Sequence, residues 1–255
     1  NFGLSQIEIV FSDLRNRTCS FCPRGVDYPN SNDNMSVEDA ELIRQRLIEF
    51  NYKGAATISG KGEPLLNKKA VECIKKLKQW KPLLITNGDP LLKDETLVER
   101  MFEAGLGHLI ISEYDSEEKL NMWYRTYKDY PLFVRNLIGD FSYEEASISN
   151  RGGAMYSINE SLEKACYLPF YKTVIDFDAK VQFCNNDWTY KYEIGDLKKQ
   201  SLKEIWLSEE MMMFRKLLAN GMRDKIKMCE NCDVKGNMIG QLSFNYFREN
   251  HEIHC

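Results

Sequence analysis

The sequence predicts an α/β fold, a partial (β/α)6 barrel with a small cysteine-bearing domain toward its C-terminal end. Three observations predict it. Short apolar runs alternate with amphipathic helical stretches over the first ~150 residues, the pattern of a parallel sheet with crossover helices. After about Ser157 that alternation gives way to a hairpin, a helix and a Cys-x-x-Cys pair. The cysteines fall into an early pair, a late set of four and two singletons.

The first predicted strand, Ile7 to Phe11, leads into Arg15-Asn-Arg-Thr-Cys19-Ser-Phe-Cys22-Pro-Arg24. Ser36 then caps a helix, with Asp39 at its third position and Ala40, Ile43, Leu47 and Ile48 on one stripe. Strand Ala55 to Ser59 is followed by a helix through Ala70, Ile74, Leu77 and Lys78, and strand Leu83 to Thr86 by one through Asp94, Leu97, Met101 and Phe102 that stops at Gly105. Three further strands are His108 to Ser112, Leu132 to Leu137 and Ala146 to Ser149. Ligands of such sheets gather at the C-terminal ends of the strands. Downstream, Thr173 to Phe183 reads as a hairpin turning near Asp178-Ala-Lys180. A single helix runs from Ser201 through Ile205, Trp206, Phe214, Leu217 and Leu218 to Gly221, and Cys229-Glu-Asn-Cys232 follows. Phe244 to Cys255 reads as a polar, peripheral tail. The expected organisation is a barrel over 1–157, a second domain over 158–240 and a tail over 241–255.

Composition narrows the function. The 255 residues are 43% apolar, enough for a sizeable core, and the net charge of -4 argues against a general attraction to nucleic acid. No apolar stretch has the length of a membrane span and no secretory signal is visible, so neither a membrane nor export is expected. Eight cysteines in a chain of this size, with two Cys-x-x-Cys pairs, point to metal or cluster ligation in a reducing, cytoplasmic compartment rather than to disulfides.

Two thiols three residues apart after a strand can grip one metal or part of a cluster, which marks Cys19 and Cys22. Cys166, Cys184, Cys229 and Cys232 come from a hairpin and a knuckle and suit a tetrahedral centre, either zinc or a fully ligated 4Fe-4S cluster. Four strand ends carry polar or glycine-rich loops. Gly60-Lys-Gly62-Glu63-Pro64 lets backbone approach a ligand, and Glu63 can accept from an ammonium group. Asn87 can hold a sugar hydroxyl, Ser112-Glu113-Tyr114 closes the fourth strand, and Arg151 in Asn150-Arg151-Gly152-Gly153 can fork onto a carboxylate. Cys73 lies on an apolar helix face and is expected in the core.

On these residues the chain resembles the radical S-adenosylmethionine enzymes that carry a C-terminal twitch domain. Their Cys-x3-Cys-x-aromatic-Cys loop matches at Cys19-Ser-Phe21-Cys22, and the likeness covers nearly the whole chain. The resemblance implies that the C-terminal domain is an iron-sulfur (twitch) domain whose Cys166, Cys184, Cys229 and Cys232 hold an auxiliary 4Fe-4S cluster. It implies S-adenosylmethionine bound by Phe21, Gly62, Glu63, Asn87, Ser112 and Arg151, with Glu63 toward the methionyl amino group and Asn87 and Ser112 toward the ribose and the methionyl carboxylate. It further implies an oxidoreductase in which a 5′-deoxyadenosyl radical takes a hydrogen from the substrate. The auxiliary cluster accepts the electron left behind, and an external donor starts the cycle. A sugar-like alcohol is the implied substrate and a peptide side chain the next candidate.

One position departs from the pattern. The first cysteine of the loop is Arg15, and a guanidinium stays protonated and is a poor ligand. A second 4Fe-4S cluster at Cys19 and Cys22 then takes its third ligand from Asp13, or from His251, His254 or Cys255 of the tail. Otherwise that cluster is incomplete and labile, or Arg15 fills the hole in a silent site and binds an anion. The rivals to an active enzyme are a silent homologue that binds a ligand or partner, and a zinc-stapled α/β binding protein.

Overall fold

The computed structural model describes residues 2–25, 31–139, 149–236 and 239–251. Eight strands among them build one sheet: β1 (Gln6–Ile9), β2 (Ala55–Ile58), β3 (Leu83–Thr86), β4 (His108–Glu113), β5 (Leu132–Asn136), β6 (Lys172–Ile175), β7 (Lys180–Gln182) and β8 (Glu193–Asp196). Their order is β5-β4-β3-β2-β1-β6-β7-β8. The first five are parallel neighbours, so their C-terminal ends share one rim. This is the α/β architecture the alternation predicts, and five predicted strands stand where the apolar runs place them. The sixth, Ala146 to Ser149, lies outside the described residues except for Ser149, which is not in a strand.

The sheet continues past β1. β6 lies parallel to it, with Gln6 opposite Lys172 and Ile9 opposite Ile175, and the antiparallel β7 and β8 follow. The hairpin turns at Asp176–Ala179, where the Asp176 carboxylate accepts from the Asp178 and Lys180 N–H groups and Ala179 takes φ +61°. Barrel and cysteine-bearing unit therefore share one hydrogen-bonded sheet.

Four helices accompany the parallel strands: α1 (Val37–Glu49), α2 (Ala70–Leu77), α3 (Leu97–Glu103) and α4 (Glu117–Thr126). Ser36 caps α1 by accepting from Asp39 N, as its sequence predicts. Ala40, Ile43 and Leu47 are buried, but Ile48 faces solvent. Cys73 sits on the buried face of α2. The remaining helices are α5 (Leu168–Tyr171), α6 (Leu202–Trp206), α7 (Glu209–Ala219), α8 (Lys227–Glu230) and α9 (Gln241–Asn250). The single helix expected from Ser201 to Gly221 is in fact α6 and α7. Ser201 and Glu204 form a capping box on the first, and Ser208 starts the second by accepting from Met211 N.

The tail also differs from expectation. Its described part is α9, which buries Phe244 and Phe247 against Phe170 and Trp206. Arg215 fixes this corner: its guanidinium donates to the Trp206 and Pro169 carbonyls and lies over the Trp206 and Phe247 rings. Among the described residues no helix is long and apolar enough to cross a membrane.

Candidate active site and metal centre

The strand ends surround a cavity of about 230 Å³. It is lined by the cysteine loop (Arg15, Arg17, Cys19, Phe21, Cys22), by the ends of the second to fifth strands (Lys61 to Glu63, Asn87, Ser112 and Tyr114, Arg135) and by Arg151 and Trp188. The structure thus gathers every strand-end residue singled out in the sequence into one cavity: Phe21, Gly62, Glu63, Asn87, Ser112 and Arg151, beside Cys19 and Cys22.

Arg17 ties the loop down. Its guanidinium pairs with Asp89 after β3 and with Asp115 after β4, at 2.5–2.9 Å, and sits over the Tyr114 ring. Asn16 joins it by donating to Asp89 and accepting from Asn87 Nδ2. Between these anchors Cys19 and Cys22 close a turn through Cys22 N to Cys19 O, and Phe21 stacks on Tyr114 at 5.9 Å. Both thiols are half-buried, and burial holds that of Cys19 above its usual pKa.

Arg15 lines the same cavity. The two described candidates for a replacement ligand, Asp13 and His251, do not. Asp13 is buried in a two-pronged ion pair with Arg24, and its carboxylate also accepts from Ser31 and the Tyr190 hydroxyl. With those partners Asp13 braces the loop root and does not face the cavity. His251 lies against Phe247 and Tyr246 at the end of α9. His254 and Cys255 lie outside the described residues. Among the described residues this first site offers two thiols, Cys19 and Cys22.

Glu63 caps the short turn Pro64–Leu66, accepting from Leu65 N while Thr86 Oγ1 and Asn87 N also donate to it. Three donors hold a carboxylate down, yet burial outweighs them and raises Glu63 to about 7. A cation seated against Glu63 would relieve that penalty, so it fits an amino group. Gly62 has a different reason from the one expected: a Cβ there would stand 2.3 Å from Ser12 O, and Glu63 N donates to Leu14 O. The glycine lets this loop dock on the root of the cysteine loop. Asn87 keeps one amide hydrogen and one lone pair beyond its bonds to Asn16 and Asp89 N. Ser112 is buried and accepts from Arg135 on β5, which places a guanidinium where a carboxylate was expected to bind.

The late cysteines converge as well. Cys166, Cys184, Cys229 and Cys232 line one small cavity whose other walls include Leu168, Pro169, Phe183, Leu218, Met228 and Val234. Burial raises all four thiols, Cys184 to about 12. Four thiols in a mostly apolar chamber, with Arg223 as the one cation in its lining, are costly to ionise alone and suit a group whose positive charge compensates them. No three His, Cys, Asp or Glu side chains among the described residues meet closely enough for a single ion. A cluster spreads its thiolates over its corners, so the four cysteines fit that wider group.

Two loops join this chamber to the first cavity. Buried Asn150 donates to the Asn231 and Tyr156 carbonyls and accepts from Gly153 N and Asp233 N, so the Arg151 loop is built on the Cys229–Cys232 knuckle. Arg151 itself adopts φ +56°, an uncommon region for a side-chain-bearing residue and often a functional one. The segment after Cys184 carries Asp187, Trp188 and Tyr190; Lys61 donates to the Asp187 carbonyl, and its ammonium lies over the Tyr190 ring. Sequence reasoning missed Arg17, Lys61, Arg135 and Asn150. Only Arg17 leaves a local hint, a charged residue inside the cysteine loop; the others are given their roles by distant segments.

A cavity at the ends of parallel strands with a Cys-x-x-Cys loop, beside a four-thiol chamber, is the arrangement that the resemblance to radical S-adenosylmethionine enzymes with a C-terminal iron-sulfur unit implies. Residues 166–233, which span all four late cysteines, match the iron-sulfur cluster-binding domain SPASM. The chain is similar to the S-adenosyl-L-methionine-dependent 2-deoxy-scyllo-inosamine dehydrogenase of Niallia circulans, 24% identical over 235 residues that cover 90% of this chain and 92% of the relative. The crystal structure of BtrN in complex with AdoMet and 2-DOIA superposes with a TM-score of 0.77 at 25% identity, covering 90% of this chain and 93% of that one. Streptococcus suis SuiB bound to its precursor peptide SuiA shares the fold at a TM-score of 0.59 and 14% identity, covering 89% of this chain and 71% of SuiB.

Proposed function

We propose that this protein is a radical S-adenosylmethionine oxidoreductase that oxidises a small, sugar-like alcohol. The observation that carries the reading is the junction of the two sites: the loops that wall the strand-end cavity with Arg151 and Trp188 are rooted at the cysteines of the thiol chamber. The likeness to the Niallia circulans dehydrogenase supports a small-molecule substrate and favours an enzyme over a silent homologue. Cys166, Cys184, Cys229 and Cys232 hold an auxiliary 4Fe-4S cluster; Cys19 and Cys22 contribute to a first one. When bound, S-adenosylmethionine with a reduced cluster supplies the hydrogen-abstracting radical, and the auxiliary cluster supplies an electron acceptor.

The chain's own residues orient and enclose. Glu63 receives the methionyl amino group, Ser112 and Arg135 face its carboxylate, and Asn87 offers a donor and an acceptor to the ribose. Phe21 on Tyr114 walls off water, and Arg17 holds the cysteine loop in register with the ends of β3 and β4. A one-electron donor docks from outside, and the compartment is reducing and cytoplasmic. We keep the expected units, 1–157, 158–240 and 241–255, as part of this proposal, with β1 and β6 joining the first two in one sheet.

Anaerobic reconstitution tests the reading. The expected outcome is 5′-deoxyadenosine formation on reduction with S-adenosylmethionine. About four irons and four sulfides per chain should be held by the late cysteines, with further, labile iron at Cys19 and Cys22. Arg15→Cys should raise the stable content to about eight irons. No cofactor cleavage by wild type or by Arg15→Cys would overturn the oxidoreductase, and bound zinc without sulfide would overturn both clusters.

A further inference from the structure

The walls of the strand-end cavity are strongly one-signed. Among the described residues, Arg15, Arg17, Lys61, Arg135 and Arg151 line it against a single carboxylate, Glu63. Arg17 is balanced by Asp89 and Asp115. Lys61 and Arg151 are not balanced: neither has a carboxylate within ion-pair distance among the described residues. Lys61 is only 7% exposed. Its ammonium has the Asp187 carbonyl and the Tyr190 ring face at 3.3 Å. Among the described residues, every carboxylate in its neighbourhood is engaged elsewhere. Asp13 holds Arg24, Glu8 holds Lys172, Asp176 accepts from its own turn and from Gln182, and Asp187 accepts from Thr189 and Tyr192 N. Arg151 lies over the Trp188 ring, and its buried Nε has no hydrogen-bond partner. Buried cations are ordinarily paired, because desolvating an unpaired charge is expensive.

The cofactor does not restore the balance. S-adenosylmethionine brings one carboxylate against an ammonium and a sulfonium, and Ser112 and Arg135 already offer that carboxylate a seat. From the cavity, its two carboxylate-free cations and the sign of the cofactor, we propose that the substrate is an anion: a small polyol bearing a phosphate or carboxylate that Lys61 and Arg151 receive. This rests on the oxidoreductase reading and names its substrate class. It also sets the chain apart from its Niallia circulans relative, whose substrate, 2-deoxy-scyllo-inosamine, is an amine and would enter this cavity as a cation.

Calorimetric titration of the reconstituted, full-length protein in excess S-adenosylmethionine tests it, with myo-inositol 1-phosphate, D-gluconate and 2-deoxy-scyllo-inosamine as probes. At least one of the two anions should bind about tenfold or more tightly than the amine, since a charge-assisted hydrogen bond is worth that much. Which anion binds distinguishes phosphate from carboxylate. Lys61→Met should lose about tenfold in anion affinity while its affinity for S-adenosylmethionine stays put, and Lys61→Arg should keep most of it. Amine binding equal to or tighter than both anions, or unchanged anion affinity in Lys61→Met, would overturn the proposal. 5′-Deoxyadenosine is measured in parallel. Cofactor cleavage with a preference for the amine sinks the anion alone; anion binding without cleavage sinks the oxidoreductase and leaves the receptor standing.

Discussion

The two cysteine sites are built on opposite principles. The late one is a small chamber in which three buried thiols and the half-buried Cys184 face mostly apolar walls, with the Arg223 guanidinium as their one cation, so the group it holds must supply most of the compensating charge. The early one is open and held from outside: two half-buried thiols ride on a loop that ion pairs pin to the ends of β3 and β4, and an arginine stands where a third thiol is expected. The difference teaches where each site keeps its stability. The late site depends on its contents. The early one is shaped by the protein even when empty and can lose a ligand without losing its form.

The sharpest test removes one thiol from each. Cys184→Ala should abolish the auxiliary cluster, with a loss of about four irons per chain, because a buried chamber with three thiolates cannot exclude water and hold the cluster fully ligated. Cys19→Ala should cost only the labile iron and leave the melting temperature nearly unchanged. Iron and sulfide counts beside calorimetry read both, and equal losses would erase the distinction.

Next in size is Asp13→Asn. Breaking the buried pair with Arg24 should cost about 3–5 kcal/mol in a denaturant titration, because a buried guanidinium loses the carboxylate charge that faces it. Iron content per folded chain should not change; a fall would return Asp13 to the ligand set.

Glu63→Gln addresses pH. The folded carboxyl titrates near 7 against an ordinary value of 4.5, so between those values the folded protein keeps a proton that the unfolded chain gives up. Stability should therefore fall as pH rises from about 4.5 to about 7, by at most roughly 3 kcal/mol, and level off above that. The glutamine variant should lose this slope in titrations at pH 5 and pH 8, and saturating S-adenosylmethionine should shrink it in wild type. The smallest effect is expected for Arg17→Ala, about 1–2 kcal/mol, diminished in high salt because its pairs with Asp89 and Asp115 are partly exposed. A salt-independent loss would mean the loop is held by packing instead.

Much of this was legible in the sequence, and the exceptions have causes. The parallel strands announce themselves because each is a short apolar run followed by a glycine or polar turn, and Ser36 and Ser201 mark helix starts through capping that is local by nature. The cavity residues were legible because parallel strands end on one rim. α9 was not, because its burial rests on Phe244 and Phe247 alone in a stretch that is otherwise polar. The Ser201–Gly221 helix was drawn too long because its apolar spacing runs straight through Ser208, whose capping role shows only in the backbone. Asp13 looked like a free carboxylate because its partners, Arg24 and Tyr190, come from another turn and from the far side of the sheet. Lys61 offered no signal: its burial is created by a loop more than a hundred residues downstream.

The pairing of β1 with β6 has a consequence for any attempt to dissect this molecule. β1 is an interior strand only because Lys172–Ile175 lie along it. Trim the chain before that point, and the backbone of Gln6–Ile9 is stripped along one side, beside the apolar side chains of Ile7 and Ile9 that are now fully covered. A bared strand of this kind templates pairing with its own copies. A shortened barrel should self-associate, and β6 doubles as the guard that keeps that edge of β1 covered.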